Sequence, residues 1–168
     1  GDLTSAGQLL ADALAAADPA VGEDARILAE LARVELESDQ LDEAERHARS
    51  SLALVRAGVG DHESGLRALG VLAEAARQRN EPEVAELLLE EAVDDRHPED
   101  RSDAWRLAAL ALARLRLTAG DPERAQLLVG RCVESPTDDV SIRAEVAALQ
   151  AQLPAIGEAD GETNRLSR

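Results

Sequence analysis

Three bends of one make govern what this chain can become. The first reads Asp39-Gln40-Leu41-Asp42-Glu43-Ala44-Glu45. The second reads Asn80-Glu81-Pro82-Glu83-Val84-Ala85-Glu86, and the third Ala119-Gly120-Asp121-Pro122-Glu123-Arg124-Ala125. Their alanines stand 41 and 40 residues apart. In the third bend Gly120 suits the left-handed residue just past a helix C-terminus. Asp121 can accept hydrogen bonds from the free N–H groups opening the next helix. Pro122 fits the first helical position, where its missing N–H costs nothing, and Ala125 lets two helices approach closely. A repeat of helix–turn–helix units follows.

The interior such units need is the one the composition supplies. There is no Phe, Tyr or Met and a single Trp, so the 45% hydrophobic content is almost all Ala, Leu and Val. Ala and Leu favour helix, whereas a half-buried sheet wants β-branched and aromatic residues. The fold class expected is all-α. The formal charge is −16, from 34 acidic residues against 18 basic ones that are all Arg. Such a field repels phosphate backbones and anionic membrane surfaces, so neither nucleic acid nor a membrane is an expected partner. No apolar run reaches the ~18 residues of a span, and no signal peptide is evident. The lone Cys132 rules out an internal disulfide and agrees with a cytoplasmic location. Arg without Lys suggests a GC-rich bacterial genome, and a start at Gly1 without any Met suggests a piece of a longer protein.

Along the chain, helical periodicity places a first Ala-rich helix at 4–17, ended by Asp18-Pro19, and a second at 22–38 through Ile27, Leu28, Leu31 and Val34. A third runs over 41–57, closed by Gly58 and Gly60. A fourth starts at Asp61 or Ser64 and reaches Arg79, followed by one at 82–95. His97-Pro98-Glu99-Asp100 opens a sixth that reaches Thr118, and further helices cover 122–134 and 140–153. The repeats are expected at 22–58, 61–96 and 98–135 in a helical domain of residues 1–153. Residues 154–168 are expected to be a disordered tail.

These units resemble tetratricopeptide repeats. Ala44, Ala85 and Ala125 match that family's small position on the second helix, and Ser51, Ala92 and Cys132 the small position seven residues later. Leu31, Leu72 and Leu112 match the first-helix Leu, and Ala32, Ala73 and Ala113 the small residue beside it. The period near 40 exceeds the family's usual ~34, and the family's aromatic positions are nonaromatic here. The longer period resembles the arrays of kinesin light chains and of large bacterial signalling ATPases and transcription activators. The run Gly60-Asp61-His62-Glu63-Ser64-Gly65-Leu66-Arg67-Ala68-Leu69-Gly70 continuing to Leu88-Leu89-Glu90-Glu91-Ala92-Val93 carries that likeness. The resemblance implies a right-handed α-solenoid of antiparallel helix pairs with about eight helices.

It also implies a concave groove lined by the first helix of each pair. Carried over by position, the groove shows Arg26, Ala29, Arg33 and Glu37, then Arg67, Gly70, Glu74 and Arg77, then Leu107, Leu110, Arg114 and Thr118. Arginines gathered there would offer forked donors to a carboxylate, so a peptide or partner helix with an acidic segment is one expected ligand. The alternative is that these arginines pair with neighbouring Glu and Asp. The Lys and Asn of the family's chaperone-tail clamp are absent. Trp105 is read either as a packing anchor or as the aromatic floor of a site. The function implied is a protein-interaction scaffold; a ligand- or peptide-sensing domain of a larger bacterial regulator is the alternative. Self-association through the terminal helices would use their apolar surfaces.

No catalytic residue, cofactor or metal site is expected. G-x-x-x-x-G-K-S/T, G-x-S-x-G, H-E-x-x-H and C-x-x-C are all missing from the sequence. The acidic run from Asp94 to Asp100 reads as caps and solubilising charge rather than as converging ligands. His47 and His62 read as isolated surface residues, and Cys132 as an inert thiol at a small buried position.

Overall fold

Each of the three bends closes by the same hydrogen bonds. Asp39, Asn80 and Gly120 take up the left-handed conformation, with φ of 62°, 61° and 79°. The residue after each donates its N–H five residues back, Gln40 to Glu35, Glu81 to Ala76 and Asp121 to Arg116, at 2.8–2.9 Å. The left-handed residue itself donates three back, to Leu36, Arg77 and Leu117. This closure satisfies carbonyls that the helix end would leave open. Gly tolerates positive φ freely, and Asn and Asp are the L-residues that best endure it.

The computed structural model describes residues 2–16, 23–94, 102–135 and 137–153. Among them lie eight α-helices and no strand: α1 Leu3–Ala16, α2 Glu23–Glu37, α3 Leu41–Arg56, α4 His62–Gln78, α5 Pro82–Val93, α6 Asp103–Thr118, α7 Pro122–Glu134 and α8 Val140–Gln150. Helix α4 begins between the two starts expected for it, with Asp61 as its cap accepting from the Ser64 N–H at 2.7 Å. Asp121 caps α7 in the same way through Arg124, and Pro82 and Pro122 open α5 and α7. Helix α5 stops short of residue 95 because Asp94 turns extended, with ψ of 130°. Helix α8 stops short of 153, where Ala151, Gln152 and Leu153 tighten into a turn. The expected start of the sixth helix and the expected disordered tail lie outside the described residues.

The chain divides into two compact units, Gly1–Ala109 and Leu110–Arg168. In the first, α1 packs on α2, α2 on α3, α3 on α4 and α4 on α5. Helix α2 also touches α4, one pair further along. That second-neighbour contact is what stacked helix pairs produce, since the first helices of successive pairs lie side by side. Ala44 and Ala48 of α3 and Ala25 and Ala32 of α2 are at 0% exposure. Small side chains thus hold these helices at short range, and Gly65 comes so near Val55 that an added Cβ would sit 3.1 Å from a methyl. Ser51 closes the same interface by donating its hydroxyl to the Ala25 carbonyl at 2.6 Å.

Ion pairs tie successive pairs together: Arg67 of α4 to Glu30 of α2, Arg56 of α3 to Glu91 of α5, and Arg79 after α4 to Asp42 and the buried Glu45 of α3. In the second unit, α7 packs on α8, and Ala125, Leu128, Val129, Cys132, Ile142 and Leu149 are buried. Every one of the family-like positions named above is buried: Leu31, Leu72 and Leu112, Ala32, Ala73 and Ala113, Ala44, Ala85 and Ala125, and Ser51, Ala92 and Cys132.

Candidate partner-binding face

Glu30 of α2 and Arg67 of α4 organise the exposed face that these two helices share. Positions 30, 33 and 37 follow one another at helical spacing, so they fall in a row along α2. Residues 63 and 67 do the same on α4. Where α2 meets α4, Glu30 accepts from both Arg33, at 3.0 Å, and Arg67. Arg33 also pairs with Glu37, and Arg67 with Glu63 at 2.6 Å. The result is one ribbon, Glu63–Arg67–Glu30–Arg33–Glu37, carrying three carboxylates against two guanidiniums. Glu63 and then Glu30 raise the Arg67 pKa against the pull of burial. Partial burial lowers that of Arg33, but Glu30 and Glu37 outweigh it and the net shift is upward.

Beyond the ribbon, Arg77 grips Glu74 with both arms of its fork, at 2.7 and 2.6 Å, and its pKa is raised in consequence. Between the two clusters, Gly70 leaves an opening: a Cβ built there meets nothing within 4 Å. Arg26 is exposed near the start of α2 and has no ion pair among the described residues. In the second unit, Arg114 lies 2.7 Å from Glu145, an ionic contact set off the hydrogen-bond direction.

Arg33, Arg67, Arg77 and Arg114 therefore all carry carboxylate partners, as the alternative reading of these arginines had it. Two of the expected groove positions do not reach the surface. Ala29 belongs to the buried stripe of α2, and Leu110 is fully enclosed. Trp105 is 4% exposed, which suits a packing anchor and leaves no open aromatic floor.

The first and second pairs, α2 to α5, carry the turn chemistry and buried small residues just described. Residues 23–96 match the tetratricopeptide repeat family. This tetratricopeptide segment lies wholly within the first unit. The third bend, at Gly120, lies beyond the match yet repeats its hydrogen bonds. No curated protein matches the chain. Tetratricopeptide repeats are in general non-catalytic scaffolds for protein–protein interaction. No helix among the described residues is long and apolar enough to cross a membrane.

The structure also pairs two residues that sequence reasoning left apart. His47, read as an isolated surface histidine, is half-buried, and its Nδ1 lies 2.7 Å from Glu35 Oε2. Glu35 itself is 8% exposed. Twelve positions separate them, and only the register of α2 against α3 brings them together. A charged residue on the apolar stripe of α2, between Val34 and Leu36, was the available signal.

Proposed function

We propose that the tetratricopeptide segment is a protein-interaction scaffold that receives a partner's peptide or helix against the shared face of α2 and α4. The supporting observation is the exposed ribbon through Glu30, which presents acceptors and donors in one line beside the opening at Gly70. Its charge balance bears on the partner. An acidic segment would have to displace Glu30 from two guanidiniums, exchanging exposed ion pairs worth only ~0–1 kcal/mol each. It would also approach a chain of net charge −16. A segment carrying its own cations would exchange the same exposed pairs but is drawn to the acidic chain and to the ribbon's excess carboxylate, which favours a basic or mixed-charge partner over an acidic one.

Two labelled peptides with the same apolar residues, one bearing Glu and one bearing Arg, separate these cases by fluorescence anisotropy. The basic peptide is expected to bind more tightly, and the double variant Arg33→Glu, Arg67→Glu to strengthen it further. An acidic peptide that binds better and is lost in that variant would restore the arginine-groove reading. Indifference of both peptides to the variant would remove this face from consideration. A ligand-sensing domain of a larger regulator is a second reading, favoured by the open pocket between α1, α2 and α3.

A further inference from the structure

Helix α1 leans on α2 without burying any residue fully, and a pocket of about 360 Å3 lies between it, α2 and the start of α3. Leu3, Ala11 and Leu14 of α1 and Leu31 and Val34 of α2 supply apolar lining, and Glu35 is the one carboxylate among the lining residues. Its Oε2 is engaged by His47, while its Oε1 makes no hydrogen bond among the described residues. His47 Nε2 faces the Arg46 guanidinium at 2.9 Å. Guanidinium only donates and ionised carboxylate only accepts, so this arrangement puts the ring proton on Nδ1, pointing at Glu35. The imidazole thus fixes the carboxylate and leaves one oxygen for another donor.

We propose that this pocket binds a primary ammonium group carried on a short aliphatic chain, with Glu35 as its counter-ion. The volume is at the small end of ligand sites, and the apolar walls suit methylenes. No lysine or arginine lines the space, so an anion would meet Glu35 without compensation. A neutral apolar guest would displace water from Oε1 and return no hydrogen bond to it. A guanidinium fork asks for both carboxylate oxygens, and one is taken; an ammonium is a compact charge with three rotatable donors. The hydroxyls of Thr4 and Ser38 and the amide oxygens of Gln8 and Gln40 are acceptors for its remaining protons. The ammonium comes either from a free alkylamine or from a lysine side chain of a bound protein. The site is independent of the α2–α4 face and stands or falls without it.

The test titrates the full chain with n-pentylamine, 1-pentanol, pentanoate and a blocked Ala-Lys-Ala peptide, reading affinity by calorimetry and α1 by hydrogen exchange. Pentylamine is expected to bind and to slow exchange across residues 3–16, with pentanol and pentanoate about tenfold weaker or more, as loss of a charge-assisted hydrogen bond implies. Glu35→Gln should erase that preference while leaving pentanol binding unchanged. If Glu35→Gln unfolds the chain, Ala11→Phe fills the pocket without touching the carboxylate and should abolish amine binding. Tighter binding of the lysine peptide than of pentylamine assigns the site to a protein partner, and the reverse assigns it to a free amine. Pentylamine binding no tighter than pentanol, or protection outside α1 to α3, overturns the proposal.

Discussion

Two glycines of the second unit provide a matched pair in which the same atom is added to two backbones of opposite kind. Gly120 sits at φ +79° in the third bend, whereas Gly130 lies inside α7; a Cβ at either meets nothing within 4 Å. Neither Gly120→Ala nor Gly130→Ala therefore changes packing. At Gly120 the left-handed conformation costs an L-residue ~1–2 kcal/mol, offset by ~0.4–1 kcal/mol from the reduced freedom of the unfolded chain. A net loss of up to about 1.6 kcal/mol follows. At Gly130 the helix is already the preferred state, and alanine should gain about 0.5–1 kcal/mol. The two variants should thus part by roughly 0.5–2.6 kcal/mol, with Gly130→Ala the more stable. Urea unfolding followed by far-UV circular dichroism measures both midpoints. The same contrast repeats in the first unit with Gly58, at φ +79°, and Gly70, where the buried Trp105 offers a fluorescence reading. Equal shifts for the two members of a pair would refute the claim that backbone conformation, rather than side-chain contact, sets the role of the bends.

Ala85→Leu adds bulk where only 1% of the residue is exposed and should cost about 1–3 kcal/mol by overpacking; Leu87→Ala, at a position 66% exposed, should cost under about 0.5 kcal/mol, and thermal melts of both settle the contrast. Asp61 has a pKa lowered from 3.8 in the folded chain: burial pushes it up, but the Ser64 amide and Arg67 outweigh that. A depressed folded pKa stabilises above the unfolded value, and the benefit disappears as pH falls through the folded one. The stability gap between the parent and Asp61→Asn should therefore be steady above pH 3.8 and close below it; urea midpoints at near-neutral and strongly acidic pH that differ by the same amount would contradict the assignment.

The repeat was readable because its chemistry is local. Gly120, Asn80 and Asp39 are the residue types that accept positive φ, and Ala44, Ala85 and Ala125 recur at fixed distance behind them, so bend and close approach can both be inferred from a dozen residues. Faces were harder. Ala29 and Leu110 share helical phase with exposed neighbours, and whether they open to solvent depends on which helices cover them. Charge pairing was harder still: Arg67 meets Glu30 across 37 positions, a contact fixed by how α2 lies beside α4 and not by any short motif. Glu35 and His47 escaped for the same reason. Helix ends such as Asp94 depend on a single backbone angle that periodicity does not encode.

The closing hydrogen bonds of each bend run back only into the helix that precedes it. No backbone hydrogen bond joins the bend at Asn80 to the bend at Asp39; only the Arg79 side chain reaches across, to Asp42 and Glu45. A helical pair built around one such bend is therefore closed at its own turn, whereas its joins to the next pair, through Glu30–Arg67, Arg56–Glu91 and Val55 against Gly65, must be matched whenever a pair is copied or deleted. Proteins of this build can grow or shrink by gene duplication at one fixed stride, keeping the alanine seams in register while the outward charges outside those joins are free to diverge.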